Sequence, residues 1–487
     1  DWSCYPDVRD RFAARVRRGA GRHVGVWHEP PRWQQEATIV DWTTPVPEGP
    51  EKWPPEEGSE QWLKWCSVFC GRSLDSDSSG FFSFLRLHGP APCVSDWQLI
   101  CARASFTDFG GWLMPVRYSS DLAEHRAVRE AAGLFDISHM AEFLVTGPRA
   151  GDFLDDALAG RFSALPIGKA TYSLVLTESG GIVDDVIVYR LGEEWFLVIA
   201  NAGNRDAVGS ALDERLRAFP APTPASAADE SGSFAFVAGA QPRVEDVSDV
   251  SALIALQGPR AAQILADVSG LELVAPPVGR DGVREEWAVA DLGSYAARGA
   301  AFAGTTVVVC RTGYTGEDGF ELLIAADAAP ALWDAVLEAG EPQGLIPAGL
   351  AARDTLRLEA GMPLYGHELG RHVRPAQAGL GRVVAMGKDD FVGKAALAEA
   401  QDPAARVLVG LVSGGRRAAR AGYAVLAGDD IVGEVTSGAL SPTLGHPIAM
   451  AFVDPAQAEP GTALALDVRG TRIPATVTAL PFYRRNR

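Results

Sequence analysis

The chain is poor in sulfur, in histidine and in positive charge. Its 487 residues include six cysteines, five methionines and eight histidines, and 44 Lys and Arg stand against 62 Asp and Glu, a formal net charge of −18. Cysteines scattered at Cys4, Cys66, Cys70, Cys93, Cys101 and Cys310 do not make the disulfide scaffold of a small secreted domain. They point to a reducing, cytosolic compartment. Cys66 and Cys70 are spaced C-x3-C, but neither Cys93 nor Cys101 completes a zinc spacing, so no metal site is expected. An acidic chain lacks the basic surface that releases counterions from a polyanion, which excludes non-specific nucleic-acid binding. No apolar run reaches the roughly 18 residues of a membrane-spanning helix.

What is present is the composition of a soluble globular protein, 47% hydrophobic and 22% charged. The length predicts roughly three units of about 100–200 residues each. A break falls near residue 104. Eight of the twelve Trp and five of the six Cys precede residue 105, in about a fifth of the chain. The same stretch holds a Pro- and Glu-rich tract from Pro45 to Glu60, a Ser/Asp run from Ser73 to Ser79, and no Met, the first being Met114. Arg9 to Arg22 is basic but flanked by acids and lacks the Ser of an organelle targeting peptide. Residues 1–104 are therefore read either as an upstream or frame-shifted stretch without a fold of its own or as a genuine extra segment.

After residue 105 the periodicities become regular. Ser119 or Asp121 is expected to cap a helix through Glu124, Val128 and Ala132, with Gly133 as its stop. Strands are expected at Ala141–Thr146, Thr171–Thr177, Ile182–Tyr189 and Trp195–Ala200, with Gly180-Gly181 turning the second into the third. A helix over Asp206–Arg217 precedes a Pro/Ala/Ser/Gly-rich linker, Ala218–Gly239. Further on, strands at Thr305–Cys310 and Phe320–Ala325 bracket a glycine-rich turn, and helices follow at Ala329–Ala339 and Pro347–Ala360. From about Ala405 short strands separated by Gly, Asp and Pro predict an all-β closing domain. The fold class is α+β with antiparallel sheets, divided into 105–400 as two α+β domains and 401–487 as a β-barrel domain.

Four constellations could carry chemistry. Asp184 and Asp185 are adjacent on a strand, so the pleat should send them to opposite faces and at most one to a site. Asp136, Ser138 and His139 are too close in sequence to face one another as a hydrolase triad. The turn Arg311–Glu321 has three glycines but neither a P-loop nor a dinucleotide spacing. It suits a heterocycle instead, with Tyr314 packing on or bonding to a ring and Glu321 accepting from paired N–H donors. Arg353 and Arg357 are four apart on one helix face, able to meet a ligand's carboxylates or simply to form salt bridges with Asp354 or Glu359.

Read together and in order, these segments resemble the T-protein family. They are Phe106-Thr107-Asp108-Phe109-Gly110-Gly111-Trp112, Gly133-Leu134-Phe135-Asp136-Ile137-Ser138-His139-Met140, Gly180-Gly181-Ile182-Val183-Asp184-Asp185, Gly313 to Glu321, Ala352 to Met362, and Thr436 to Thr443. The resemblance implies a three-domain ring of antiparallel-sheet domains around a central folate funnel. It implies an aminomethyltransferase of a glycine cleavage system, passing the methylene carbon of lipoylated H-protein to tetrahydrofolate with release of ammonia. It also implies Asp185 as the catalytic residue and Tyr172, Asn201, Tyr314, Glu321 and Arg353 as folate contacts. Where family members carry a short Leu-His helix before the Gly-Trp motif, this chain has Ala91 to Arg103. Two other functions share the family's fold: tetrahydrofolate-dependent demethylation of dimethylglycine, sarcosine or a sulfonium compound, and non-catalytic folate binding in iron–sulfur assembly. The second is marked by a Lys-Gly-Cys-Tyr motif that this sequence lacks.

Overall fold

Gly111, at a φ of 93°, lets the first described strands turn back on each other, pairing β1 (Ser105–Phe109) with β2 (Trp112–Arg117). The structure, a computed structural model, describes residues 104–485 apart from 110, 221–240, 276–284 and 401. The segment 1–103, with its C-x3-C pair, and most of the Ala218–Gly239 linker lie outside the described residues. Contacts divide the chain after Gly89, and everything below belongs to the unit Pro90–Arg487.

Helix α1 (Asp121–Glu130) starts without the expected cap. Ser120 holds the cap position but makes no side-chain bond, and the Glu124 carboxylate turns back to accept the backbone N–H groups of Tyr118 and Ser119. Gly133 is not the helix stop. It lies inside β3 (Ala132–Asp136), where a Cβ would collide with Val128 of α1, so glycine lets strand and helix lie in contact.

The next strands form a five-stranded antiparallel sheet. They are β4 (Ala141–Thr146), β5 (Ala170–Leu176), β6 (Ile182–Gly192), β7 (Trp195–Ala200) and β8 (Arg243–Asp246), with α2 (Ala150–Ala157) and α3 (Arg205–Ala218) between them, and they run in the order β5-β6-β7-β4-β8. Phe143, Phe153 and Phe196 are fully buried with Val208 and Leu212 of α3. Each such side chain stabilises the fold by about 1.5–3 kcal/mol. The β5–β6 hairpin turns at Gly180-Gly181 as expected, and a Cβ on Gly181 would strike the backbone carbonyl of Arg371.

A seven-stranded sheet follows. Its members come from β9 (Ser251–Gln257), β10 (Leu271–Glu272), β13 (Ala297–Phe302), β14 (Thr305–Cys310), β15 (Gly319–Ala325) and β16 (Leu345–Pro347), joined by β3 in the order β10-β13-β14-β15-β9-β3-β16. A separate short pair, β11 (Val274–Ala275) with β12 (Glu285–Glu286), stands beside it. Helices α4 (Ala261–Ala266) and α5 (Ala329–Gly340) cover one face, α5 through Leu332, Trp333 and Val336. The one parallel pairing, β16 with β3, takes Pro347 into the sheet, so α6 spans Leu350–Glu359 and starts later than its sequence suggests. A cluster containing Phe135, Tyr189, Leu197, Leu253, Cys310 and Leu356 joins the two sheets and α6.

After the short helix α7 (Lys394–Ala398), the closing β region is a closed six-stranded antiparallel barrel. Its strands are β17 (Val407–Ser413), β18 (Ala424–Ala427), β19 (Asp430–Leu440), β20 (Pro447–Val453), β21 (Ala463–Val468) and β22 (Thr471–Thr478). Glu359 at the end of α6 fastens the barrel: its carboxylate accepts Ser441 Oγ at 2.5 Å and Thr443 N at 3.0 Å from the β19–β20 turn. No helix among the described residues is long and apolar enough to cross a membrane.

Candidate active site

Strand β7 ends at Ala200 and its pairing with β6 stops at Ile187–Ile199, so the start of β6 with Asp184 and Asp185 has no β7 partner, and this shortfall builds the first half of the site. Asn201 and Asn204 turn into the space beside Asp184 and Asp185. Asn201 donates its backbone N–H to Asp184 Oδ2 at 2.9 Å, while its side-chain Nδ2 reaches Asp184 Oδ1 at 2.9 Å and Asp185 Oδ1 at 2.8 Å. Asn204 Nδ2 adds a bond to Asp184 Oδ1 at 2.6 Å, and Tyr172 OH on β5 donates to Asp185 Oδ2 at 3.1 Å.

The expectation that the pleat separates the two aspartates therefore holds for exposure and fails for contact. Asp184 is fully buried and Asp185 partly open, yet one amide group bonds both. A bulge places Val175 opposite Asp184 but Leu176 opposite Ile182, and the early end of β7 leaves both carboxylates reachable from Asn201. Burial raises both carboxyls above the usual carboxylate range, and for Asp184 the charge of Asp185 adds to the effect.

The second half is Glu321 on β15. Its Oε2 accepts Thr312 Oγ1 at 2.5 Å, and the Tyr189 hydroxyl on β6 lies 2.7 Å from Thr312 Oγ1. Among the described residues no hydrogen bond reaches Glu321 Oε1. Burial pushes this carboxyl up, against the opposing pull of the Thr312 bond and the Arg353 charge.

Between the halves stand Tyr314 and Arg353. The Arg353 guanidinium lies over the Tyr314 ring, 4.8 Å from its centroid, and the Tyr314 hydroxyl donates to the Pro363 carbonyl at 2.5 Å. Asp185 acts electrostatically on both Tyr172 and Tyr314, and Arg353 on both Glu321 and His139, so the six residues singled out from the sequence share one neighbourhood. The two arginines of α6 part company. Arg357 is buried in bonds to Asp354, Glu368, Ser437 and the Met362 carbonyl, which is the ordinary salt-bridge role, whereas the Arg353 guanidinium makes no hydrogen bond to any described residue.

The Asp136–Ser138–His139 run is no triad. Ser138 Oγ bonds the Leu253 carbonyl, and the imidazole of His139, pushed down to about 3 by burial and then by Arg353, is buried with Nδ1 unpartnered. Sequence reasoning missed Tyr189, Thr312 and Asn204. Tyr189 was findable, since it lies four residues after Asp185 on one strand and so shares its face. Asn204 carries no such signal, because only the end of β7 brings it to Asp184. Among the described residues no group of three or more His, Cys, Asp or Glu could hold a metal ion.

Residues 97–388 match the family model of the GCVT N-terminal domain, and residues 406–484 that of the glycine cleavage T-protein C-terminal barrel domain. An aminomethyltransferase of Saccharopolyspora erythraea is 51% identical over 386 residues, covering 79% of this chain and 95% of the relative. That of Moorella thermoacetica is 41% identical over 387 residues, covering 79% and 96%. The crystal structure of glycine cleavage system aminomethyltransferase T from Bartonella henselae superposes with a TM-score of 0.66 at 33% identity, over 82% of this chain and 97% of that one. With one family model matched over residues 97–388, more than half of the chain, and a relative 51% identical over 79% of it, the chain belongs to the glycine cleavage T-protein family.

Proposed function

We propose that this chain is the aminomethyltransferase of a glycine cleavage system, working in the cytoplasm. Its donor is the aminomethyl group on the lipoyl arm of H-protein, and its acceptor is tetrahydrofolate. The observation that carries this reading is the cluster of Asp185, Tyr172 and Asn201 facing Tyr314, Arg353 and Glu321, in a chain of this family. The residues fit a reduced pterin. Glu321 keeps Oε1 for a ring N–H edge while Thr312 holds Oε2, and the Arg353 guanidinium has donors to spare for a folate carbonyl or carboxylate.

Tetrahydrofolate, when bound, would supply two nitrogens to hold the transferred carbon as a methylene bridge, as ammonia leaves and the carbon–sulfur bond breaks to return the lipoyl arm as its thiol. The protein's part is orientation and charge. Glu321 and Arg353 fix the heterocycle, and ideal placement of two reactants is worth roughly 7–11 kcal/mol. Asp185, open on the ligand side and tied back by Tyr172 and Asn201, stabilises developing positive charge at the carbon and accepts the proton released on closure. Its raised proton affinity suits a base working near neutrality.

The test is stoichiometric transfer. Purified protein with aminomethyl-loaded H-protein and tetrahydrofolate should release one ammonia for each methylene group captured. Turnover of dimethylglycine or sarcosine with none from loaded H-protein would replace this donor by another.

A further inference from the structure

We propose that Asp184 is a positioning residue that stays charged beneath Asp185 and, through their shared Asn201, both fixes the Asp185 carboxylate and raises its readiness to take a proton. The inference rests on the role given to Asp185 above and extends it to a side chain that cannot touch the substrate, being fully buried.

The geometry says which carboxylate takes the pair's proton. Asp184 is surrounded by N–H donors: Asn201 Nδ2 and Asn204 Nδ2 on Oδ1, and the Asn201 backbone on Oδ2. The Asn201 backbone N–H cannot become an acceptor, and turning the Asn201 amide over would break its bond to Asp185, so the bonds donated to Asp184 favour its charged form. Asp185 differs. Its Oδ2 meets the Tyr172 hydroxyl, which can reverse and accept, and its side chain is partly open. Hydrogen bonds donated to a carboxylate favour its charged form, so the proton goes to the carboxyl whose partner can turn from donor to acceptor. Asp185 therefore protonates first, and Asp184 remains the fixed negative charge beside it.

The other groups facing the pair are phenols. Tyr172 comes from β5, Tyr314 from the glycine-rich turn, and Tyr365 from the segment after α6, where Arg371 bonds it. Burial raises all three, so each stays neutral while the carboxylates titrate. Arg353 and Arg357 act on Tyr314, as Asp185 does, and neither bonds an aspartate of the pair among the described residues. No cation bonds either aspartate among the described residues, which leaves the like charge as the adjustable influence on Asp185.

The experiment is the pH dependence of single-turnover transfer from loaded H-protein to tetrahydrofolate for the native protein, Asp184→Asn and Asp185→Asn, with folate affinity measured alongside. Removing the buried charge should move the acid limb of Asp184→Asn to lower pH by about one unit or more and lower the plateau, with folate affinity within about threefold. A lowered plateau over an unmoved limb would make Asp184 merely structural and overturn the proposal. Carboxyl-carbon NMR on aspartate-labelled protein gives an independent reading should Asp184→Asn fail to fold. In Asp185→Asn the high-titrating aspartate signal should vanish while Asp184 stays ionised down to the acid range. A high-titrating signal that survives in Asp185→Asn would put the proton on Asp184 and sink the assignment. Failure of the underlying reading looks different: Asp185→Asn would then turn over normally with an unchanged limb.

Discussion

Two carboxylates, the fully buried Glu359 and the partly open Asp185, both accept hydrogen bonds and end with opposite proton affinities. Glu359 accepts from Ser441, Thr443 and His125, and its Oε2 also meets the Arg129 guanidinium at 2.8 Å. Despite burial it is held down at about 2, with the bond and charge of His125 the largest opposing causes. Asp185 has two neutral donors, Tyr172 and Asn201, and no bonded cation among the described residues, and burial raises its affinity for protons. Glu359 accepts more hydrogen bonds than Asp185, and of the two it is the one with cations for company. Glu359 joins α1, α6, the glycine-rich turn and the barrel, since Arg129 also binds Glu317 and the Thr315 carbonyl. The carboxylate that holds four elements together is paired, and the one proposed to exchange a proton has no bonded cation among the described residues.

This contrast can be broken from either side. The largest effect is expected on Asp185→Asn, which keeps the size and loses the charge and the proton acceptor. Single-turnover transfer should fall by roughly 10²–10⁴-fold while folate affinity changes only a few-fold. Near-native transfer by this variant would take the chemistry away from Asp185.

On the other side, Glu359→Gln leaves Arg129 buried with one carboxylate fewer. Breaking such a pair costs about 3–5 kcal/mol, which urea unfolding would register as a lower midpoint. Folate affinity in the surviving folded protein should stay native, because no contact of Glu359 belongs to the ligand site. If the midpoint is unchanged, the fastening role belongs to other contacts.

Glu321→Gln lies between these cases. One charged acceptor becomes an amide facing the pterin edge, and calorimetric titration should show tetrahydrofolate binding weaker by roughly 1.5–3 kcal/mol with little change in melting temperature. Equal affinity would remove Glu321 from the ligand.

The smallest effect sharpens the comparison through pH. The folded value of Glu359 is depressed from the ordinary 4.5 to about 2, so its contribution is fully present above pH 4.5 and is lost as pH falls toward 2. The stability gap between native protein and Glu359→Gln, followed by urea unfolding from pH 6 downward, should shrink across that window. A gap that stays constant to the lowest pH would show that the charge of Glu359 is not what fastens the barrel.

Much of this molecule was readable from the chain. Strands β4, β7 and β14 fall on their expected bounds, because alternating or continuous apolar runs between Gly and polar turns leave one way to bury them. The ends of α1 and α6 were misjudged, since Gly133 and Pro347 look like helix punctuation and instead serve strand packing against distant partners. Arg353 and Arg357 were indistinguishable on a helix face, and only the barrel residue Ser437 and the Glu368 loop commit Arg357 and leave Arg353 available.

The sequence by itself determined the elements, the closing barrel and the residue types of the site, because periodicity and turn chemistry act over a few residues and the family motifs are contiguous. Only the tertiary structure decided that Asp184 and Asp185 act as a pair, that Thr312 occupies one oxygen of Glu321, and that Glu359 rather than Asp185 is the carboxylate with a cation. Those outcomes depend on where a strand ends and on which side chains arrive from 100 or more residues away, as Thr312 does to Tyr189 with a separation of 123. Burial and charge then fix the proton affinity of each group, and neither is a property of a residue's neighbours in sequence.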